Sequence, residues 1–269
     1  MDVVHAKQIS TSLFPDFSGF TFVEILIMLG GWGLGYFGQP HIVTKFMGIR
    51  NVNEISKSKW IGMSWMTISL AAATLVGIVS IAYFKEGIPD SEQVFIEMVK
   101  LQFPAFLVGF ILCAVLAATI NAMSSQVLVL SSSLTEDFYK RIFRKEAGSS
   151  ELLLVSRLGV LIVAILALII AYAKISTIYS LVLYAWSGLG ASFGPLIILS
   201  LYSKVINKYG AWAGVLIGGS VSATWPYFNQ FFSMQIPALI IAFPLSFSSI
   251  LLVSFVSNRL SSKTVSKIT

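Results

Sequence analysis

The sequence predicts an all-α integral membrane protein, and its composition and the length of its apolar runs carry that prediction. Of the 269 residues, 56% are hydrophobic and 11% are charged, with a mean hydropathy of +0.84. Soluble domains are about 45–50% apolar and about 25% charged, so the composition excludes an ordinary soluble protein. Apolar windows of about 20 residues, the length of a membrane-crossing helix, recur along nearly the whole chain. They are continuous rather than alternating, which favours helices over barrel strands.

We predict seven transmembrane helices within one membrane domain, residues 21–257. The predicted spans are 21–42, 60–84, 101–126, 152–174, 177–202, 209–228 and 236–257. Residues 1–20 are expected to be an extracytoplasmic segment without a cleavable signal peptide, because no basic start precedes an apolar core. Residues 258–269 are expected to be a cytoplasmic tail. The outer loop near 85–100 contains "SEQVFIEMV", whose apolar residues have helical spacing and predict a short helix on the membrane surface.

Basic residues orient the predicted spans. They cluster after the first, third and fifth spans and in the tail, at Lys45, Arg50, Lys57, Lys59, Lys140, Arg141, Arg144, Lys145, Arg157, Lys204, Lys208, Arg259, Lys263 and Lys267. Because basic loops stay in the cytoplasm, the N-terminus is predicted outside and the C-terminus inside. This topology accounts for the net charge of +6, so no nucleic-acid partner is expected.

The stretch "GGWGLGYFGQPH", Gly30 to His41, interrupts the first apolar span with glycines, a glutamine and a proline. One interpretation is close helix packing through small residues. The other is a discontinuous helix that exposes backbone groups to a cavity at membrane depth. Trp32, Tyr36 and Pro40 recur every fourth residue and share a face while helical geometry holds. Two aromatic rings beside free backbone groups suit a small solute that is partly apolar and partly charged.

Several motifs of the chain resemble the sodium:solute symporter family, in particular its bacterial sodium/proline symporters. The motifs are "GWGLGYFGQPHIVTKFM", "LAATINAMSSQVLVLSSSLTEDFYK", "YAWSGLGASFGPLIILSLYSK" and "YGAWAGVLIGG", and the resemblance extends from about residue 20 onward. It implies the leucine-transporter-like inverted-repeat fold in a bacterial cytoplasmic (inner) membrane. The chain would hold the C-terminal half only: the second inverted repeat and two peripheral helices. A separate chain would then supply the N-terminal half.

The resemblance also implies site residues. Trp32, Tyr36 and Pro40 match the positions through which the family contacts proline. Ala118, Asn121 and Ala122 match positions that bind sodium, the coupling ion. The family's pair of hydroxyl side chains is missing here: Asn121 offers an amide oxygen and Ala122 offers no side-chain oxygen. An interhelical hydrogen bond is the alternative role for Asn121.

No side-chain pattern points to catalysis, a transition metal or a further cofactor, and the chain is not predicted to be an enzyme. Glu136 and Asp137 stand at the predicted cytoplasmic end of the third span, where solvated carboxylates are expected. Glu24 stands near the outer boundary of the first span. Cys113 is the single cysteine, so no disulfide framework is expected.

Three functions remain open from the sequence. The first is sodium-coupled symport of proline or a related small amino acid, with this chain as the C-terminal half. The second is a truncated or decayed symporter remnant without transport activity. The third is a membrane sensor or scaffold built on a transporter-like body.

A second glycine-rich patch, "SGLGASFGP" (Ser187 to Pro195), is interpreted first as packing against the first span and second as a gate.

Overall fold

The computed structural model describes residues 19–232 and 236–265, with side chains from residue 22 to 232 and from 236 to 260. Nearly all of the predicted segment 1–20 and the end of the predicted tail therefore lie outside the described residues. Every regular element of the described chain is helical. In chain order the α-helices are α1 (Gly19–Gly33), α2 (Pro40–Met47), α3 (Ile55–Tyr83), α4 (Val94–Gln102), α5 (Ala105–Ser132), α6 (Ser149–Ala173), α7 (Ile178–Tyr202), α8 (Lys208–Phe231) and α9 (Ala238–Val265).

Three short 3₁₀ segments and one π-helix complete the secondary structure. The 3₁₀ segments are Leu34–Gly38, Val52–Glu54 and Ser91–Gln93, and the π-helix is Ser133–Phe143. The predicted short helix of the outer loop is confirmed as α4.

Within the described residues, five helical stretches are long and apolar enough to cross a membrane: Val52–Tyr83, Ala105–Phe143, Ser149–Ala173, Ile178–Tyr202 and Ala238–Leu260. They correspond to the second, third, fourth, fifth and seventh predicted spans. The sixth predicted span forms α8, but its interior "GGSVSATWPYFNQ" is too polar to place it among these five. The first predicted span is broken, and its apolar helical part, Phe22–Gly38, is short. As membrane crossings, these two spans stay predictions.

The third span is longer than predicted. We expected it to end near residue 126, followed by a cytoplasmic loop, whereas α5 continues into the π-helix as far as Phe143. Two charge pairs one turn apart lie along the extension: Lys140 Nζ is 3.1 Å from Glu136 Oε2, and Arg141 Nη2 is 3.7 Å from Asp137 Oδ1. Glu136 and Asp137 are thus paired on a helix surface, not at a helix end.

The described chain divides into two compact units, and residues 48–173 form the first. In this unit α6 packs on α5 and on the π-helix. The buried Ser131 hydroxyl lies 2.6 Å from Ser156 Oγ and donates to the Ser156 carbonyl oxygen at 3.1 Å. Glu151 Oε1 accepts from the Tyr139 hydroxyl at 2.7 Å and from Arg144 Nη1 at 2.8 Å. These polar contacts connect the end of α5 and the end of the π-helix to the first turns of α6.

The second unit comprises the described residues of 19–47 and 174–265, and it contains a small, tightly packed core. Helices α7, α8 and α9 pack pairwise, and α7 also packs on the 3₁₀ segment Leu34–Gly38. Ala191, Leu239, Ala242 and Phe243 are the buried centre. A methyl group on Gly218 would collide with the carbonyl oxygen of Ala191, so α8 approaches α7 at the level of the backbone. Each of the three helices has an interior proline: Pro195, Pro226 and Pro244.

Candidate solute and ion sites

The first predicted span is a discontinuous helix, which was one of the two interpretations open from the sequence. Helix α1 ends at Gly33, one 3₁₀ segment follows, and Gln39 is extended (φ −87°, ψ 110°) before α2 begins at Pro40. Proline suits the first position of a helix because its missing N–H has no helical partner there. The amides of Ile42 and Val43 both donate to the Gln39 carbonyl at 3.0 Å and thereby start α2.

Trp32 and Tyr36 meet on one side chain, the indole of Trp186 in α7. The Trp32 and Trp186 ring centroids are 5.8 Å apart, and Tyr36 packs edge-on against Trp186 at 4.8 Å. The Tyr179 ring lies 5.9 Å from Trp32. Tyr36 remains 41% exposed, so part of its ring is free to contact a solute. Pro40 is exposed and is separated from the two aromatic residues by the extended residue Gln39.

Two hydrogen bonds join α7 to this discontinuity. The Trp186 indole N–H donates to the carbonyl oxygen of Trp32 at 3.0 Å. The side-chain amide of Gln39, only 2% exposed, donates to the carbonyl oxygen of Trp186 at 3.1 Å. The sequence prediction named neither Trp186 nor Gln39. A single amide in an apolar span and a tryptophan beside the second glycine-rich patch were the available signals.

Glycine permits these contacts at two positions. A methyl group on Gly35 would collide with the Trp186 indole. One on Gly38 would lie 2.5 Å from the Leu189 carbonyl oxygen and 2.7 Å from the Gly190 Cα. The prediction that "SGLGASFGP" packs against the first span is therefore confirmed.

The predicted sodium-binding residues share one face of α5 in the first unit. Ala118, Asn121 and Ala122 lie in a regular part of the helix, and all three are exposed. The Ser125 hydroxyl donates to the carbonyl oxygens of Asn121 at 2.8 Å and Ala122 at 3.2 Å, a common bond of serine in a helix.

The Asn121 amide makes no hydrogen bond with any residue that the structure describes. The alternative role for it, an interhelical bond, is thus not formed here. The Asn121 amide oxygen is available on this face of α5, whereas the Ala122 side chain contributes no oxygen.

Other chemistry-bearing groups are dispersed. Among the described residues, no three His, Cys, Asp or Glu side chains come together as a metal site would require. Cys113 is exposed on α5 and Glu24 is exposed on α1. An open cavity of about 380 Å³ borders Thr135, Lys140 and Ser156 in the first unit, and it contains none of the predicted site residues.

A sequence model of the Sodium:solute symporter family matches residues 6–218 of the chain. The chain belongs to this family. All predicted site residues, together with Gln39 and Trp186, lie within the matched region.

Relatives within the sodium:solute symporters are similar over most of the chain. The High-affinity proline transporter PutP of Bacillus subtilis is 45% identical over 226 residues, which is 83% of this chain and 48% of that protein. The Osmoregulated proline transporter OpuE of Bacillus subtilis is 38% identical over 254 residues, 93% of this chain and 51% of OpuE. Sodium/proline symporter 2 of Staphylococcus saprophyticus is 47% identical over 229 residues, 83% of this chain and 44% of that symporter.

The chain spans about half the length of these curated relatives and corresponds to their C-terminal part. No solved structure is significantly similar to it. Family membership and the apolar helices make the chain a multi-pass membrane protein whose relatives are transporters, not enzymes.

Proposed function

We propose that the chain forms the C-terminal half of a sodium-coupled symporter for proline or a related small amino acid. The observation that carries the proposal is the discontinuity of the first span, where Trp32 and Tyr36 share the Trp186 indole. A broken membrane helix beside aromatic rings is a typical solute site of a secondary transporter. The relatives PutP and OpuE are proline transporters, which supports proline as the solute.

The solute-binding residues under this proposal are Trp32, Tyr36 and Pro40. The partly exposed ring of Tyr36 and the half-buried ring of Trp32 offer apolar surface to a pyrrolidine ring. The side-chain amide of Gln39 is engaged with the carbonyl oxygen of Trp186. Tyr36, whose side chain is exposed, is the residue of this group that carries a hydroxyl.

Ala118, Asn121 and Ala122 are the proposed contribution of α5 to the sodium site. A dehydrated cation needs several oxygen ligands, and this face supplies the Asn121 amide oxygen and no hydroxyl from residue 122. The missing oxygen favours a second candidate, a decayed symporter remnant without transport activity. We place the protein in the bacterial cytoplasmic membrane with its N-terminus outside and its C-terminus inside.

Uptake of labelled proline tests the proposal. The chain is co-expressed with the N-terminal half of a proline-transporting relative in cells that lack their own proline uptake. We expect sodium-dependent uptake, and we expect Trp32→Ala or Tyr36→Ala to raise the half-saturating proline concentration about threefold to tenfold. This range corresponds to the loss of about 0.6–1.4 kcal/mol of aromatic contact.

Trp212→Ala is the matched control, because Trp212 is 67% exposed on α8 and forms no described ring contact. Tyr36→Phe separates the hydroxyl from the ring. Unchanged proline affinity in both alanine variants removes these two residues from the site, and uptake without sodium dependence contradicts sodium coupling.

A further inference from the structure

The angle between α1 and α2 is not fixed by the main chain alone. Between them lie the 3₁₀ segment Leu34–Gly38 and the extended residue Gln39, so no continuous ladder of α-helical hydrogen bonds connects α1 to α2. The extended residue Gln39 allows the helical segments on its two sides to pivot. A defined angle therefore requires contacts from another element.

Trp186 supplies contacts on both sides of that junction. Its indole N–H binds the carbonyl oxygen of Trp32, the penultimate residue of α1. Its carbonyl oxygen accepts from the side chain of Gln39, the residue immediately before α2. Both donors are held by packing, since Gln39 is 2% exposed and Gly35 leaves no space for a methyl group beneath the indole.

The hydrogen bond from the Trp186 indole N–H to Trp32 limits how Trp186 can bind a solute. Its one polar hydrogen is already donated to Trp32, and its ring is covered by Tyr36 and Trp32. Trp186 therefore holds the aromatic residues in place and has no polar group left for a ligand.

We propose that Trp186 and Gln39 form a clamp that sets the angle between α1 and α2, and that Trp186 is a positioning residue of the solute site. Its effect on transport rests on the proposed function. The effect of the clamp on the angle between α1 and α2 does not depend on the proposed function. The angle and transport are therefore tested separately.

Distances between spin labels measure the angle. Cys113 is replaced by alanine, and cysteines at Leu29 in α1 and Phe46 in α2 carry the labels, because these side chains are 64% and 62% exposed. The full chain is placed in lipid nanodiscs. Double electron–electron resonance then gives the distribution of label-to-label distances.

Two variants open the clamp from opposite sides. Trp186→Phe removes the indole N–H and keeps an aromatic ring, whereas Gln39→Leu removes the amide and leaves Trp186 intact. Trp225→Phe is the matched control in the same unit, because the Trp225 indole N–H also donates to a backbone carbonyl, that of Ile236 at 2.9 Å. We expect a narrow distribution in the parent and in Trp225→Phe, and a broadened or second population in Trp186→Phe and Gln39→Leu.

An unchanged distribution in both clamp variants overturns the proposal. So does equal broadening in Trp225→Phe, because any lost indole bond would then loosen the unit. If Trp186→Phe does not fold, Gln39→Leu alone decides between these outcomes.

Transport provides the second measurement. If only about a third of the molecules keep the binding geometry, the apparent proline affinity decreases about threefold. We expect that change in Trp186→Phe with a maximal uptake rate within about twofold of the parent, and no change in Trp225→Phe. A lower maximal rate with unaltered affinity contradicts a positioning role. Absence of uptake in the parent pair contradicts the proposed function, and the label distances still decide the clamp.

Discussion

Replacement of Gly38 by alanine should separate the 3₁₀ segment from α7. A methyl carbon there would lie 2.5 Å from the Leu189 carbonyl oxygen, 2.7 Å from the Gly190 Cα and 2.9 Å from the Gly194 amide nitrogen. All three atoms belong to the backbone of one helix, so no rotamer change relieves the overlap. An ordinary contact begins at 3.4 Å, and the segment must therefore move by about 1 Å.

Overpacking of this kind costs about 1–3 kcal/mol. Alanine also lowers the conformational entropy of the unfolded chain, which stabilises the folded protein by about 0.4–1 kcal/mol. We expect Gly38→Ala to lower the free energy of unfolding by about 1–2 kcal/mol, measured by titrating the full chain in mixed micelles with dodecyl sulfate and following helical circular dichroism.

Gly33→Ala is the control for this measurement. Gly33 already has helical dihedral angles (φ −62°, ψ −45°), and a methyl group on it meets nothing within 4 Å. That variant should be as stable as the parent or up to about 1 kcal/mol more stable. Equal stability of Gly38→Ala and the parent, or equal losses in both variants, would refute the close approach.

Two further predictions concern topology and the ion. In a chain with Cys113 replaced, cysteines at Lys57 and Arg144 should react with impermeant reagents only from the cytoplasm, and one at Asp90 only from outside; labelling of the Arg144 position from outside intact cells contradicts the orientation. Replacing Asn121 by serine and Ala122 by threonine restores two hydroxyls to one face of α5, and should strengthen sodium-dependent uptake in the reconstituted pair. Native uptake that is already steeply sodium-dependent and gains nothing from the double change would show that other groups complete the site.

The helices were predictable because their apolar length is a local property of the chain. The break was predictable for the same reason: the glycines, Gln39 and Pro40 that cause it are neighbours in sequence. The π-helical extension was missed because charged residues after residue 133 suggested a loop, whereas their spacing lets them pair along a helix.

Trp186 was missed for a different reason. Its indole and the Trp32 carbonyl are 154 positions apart, and no local pattern specifies which helix covers the break. Resemblance supplied Trp32, Tyr36 and Pro40, but it did not supply the contacts that hold them. For Ala118, Asn121 and Ala122, spacing correctly predicted a shared face, and their role in ion binding stays a prediction.

The interior prolines of α7, α8 and α9 have a mechanical consequence. A proline leaves the carbonyl four residues earlier without its helical donor, which affects Ala191, Ser222 and Ile240. At each point the helix has one bond fewer resisting curvature, so its bending stiffness is locally reduced. Helices α3, α5 and α6 contain no interior proline. Within α7, α8 and α9, thermal bending should therefore be concentrated one turn before each proline.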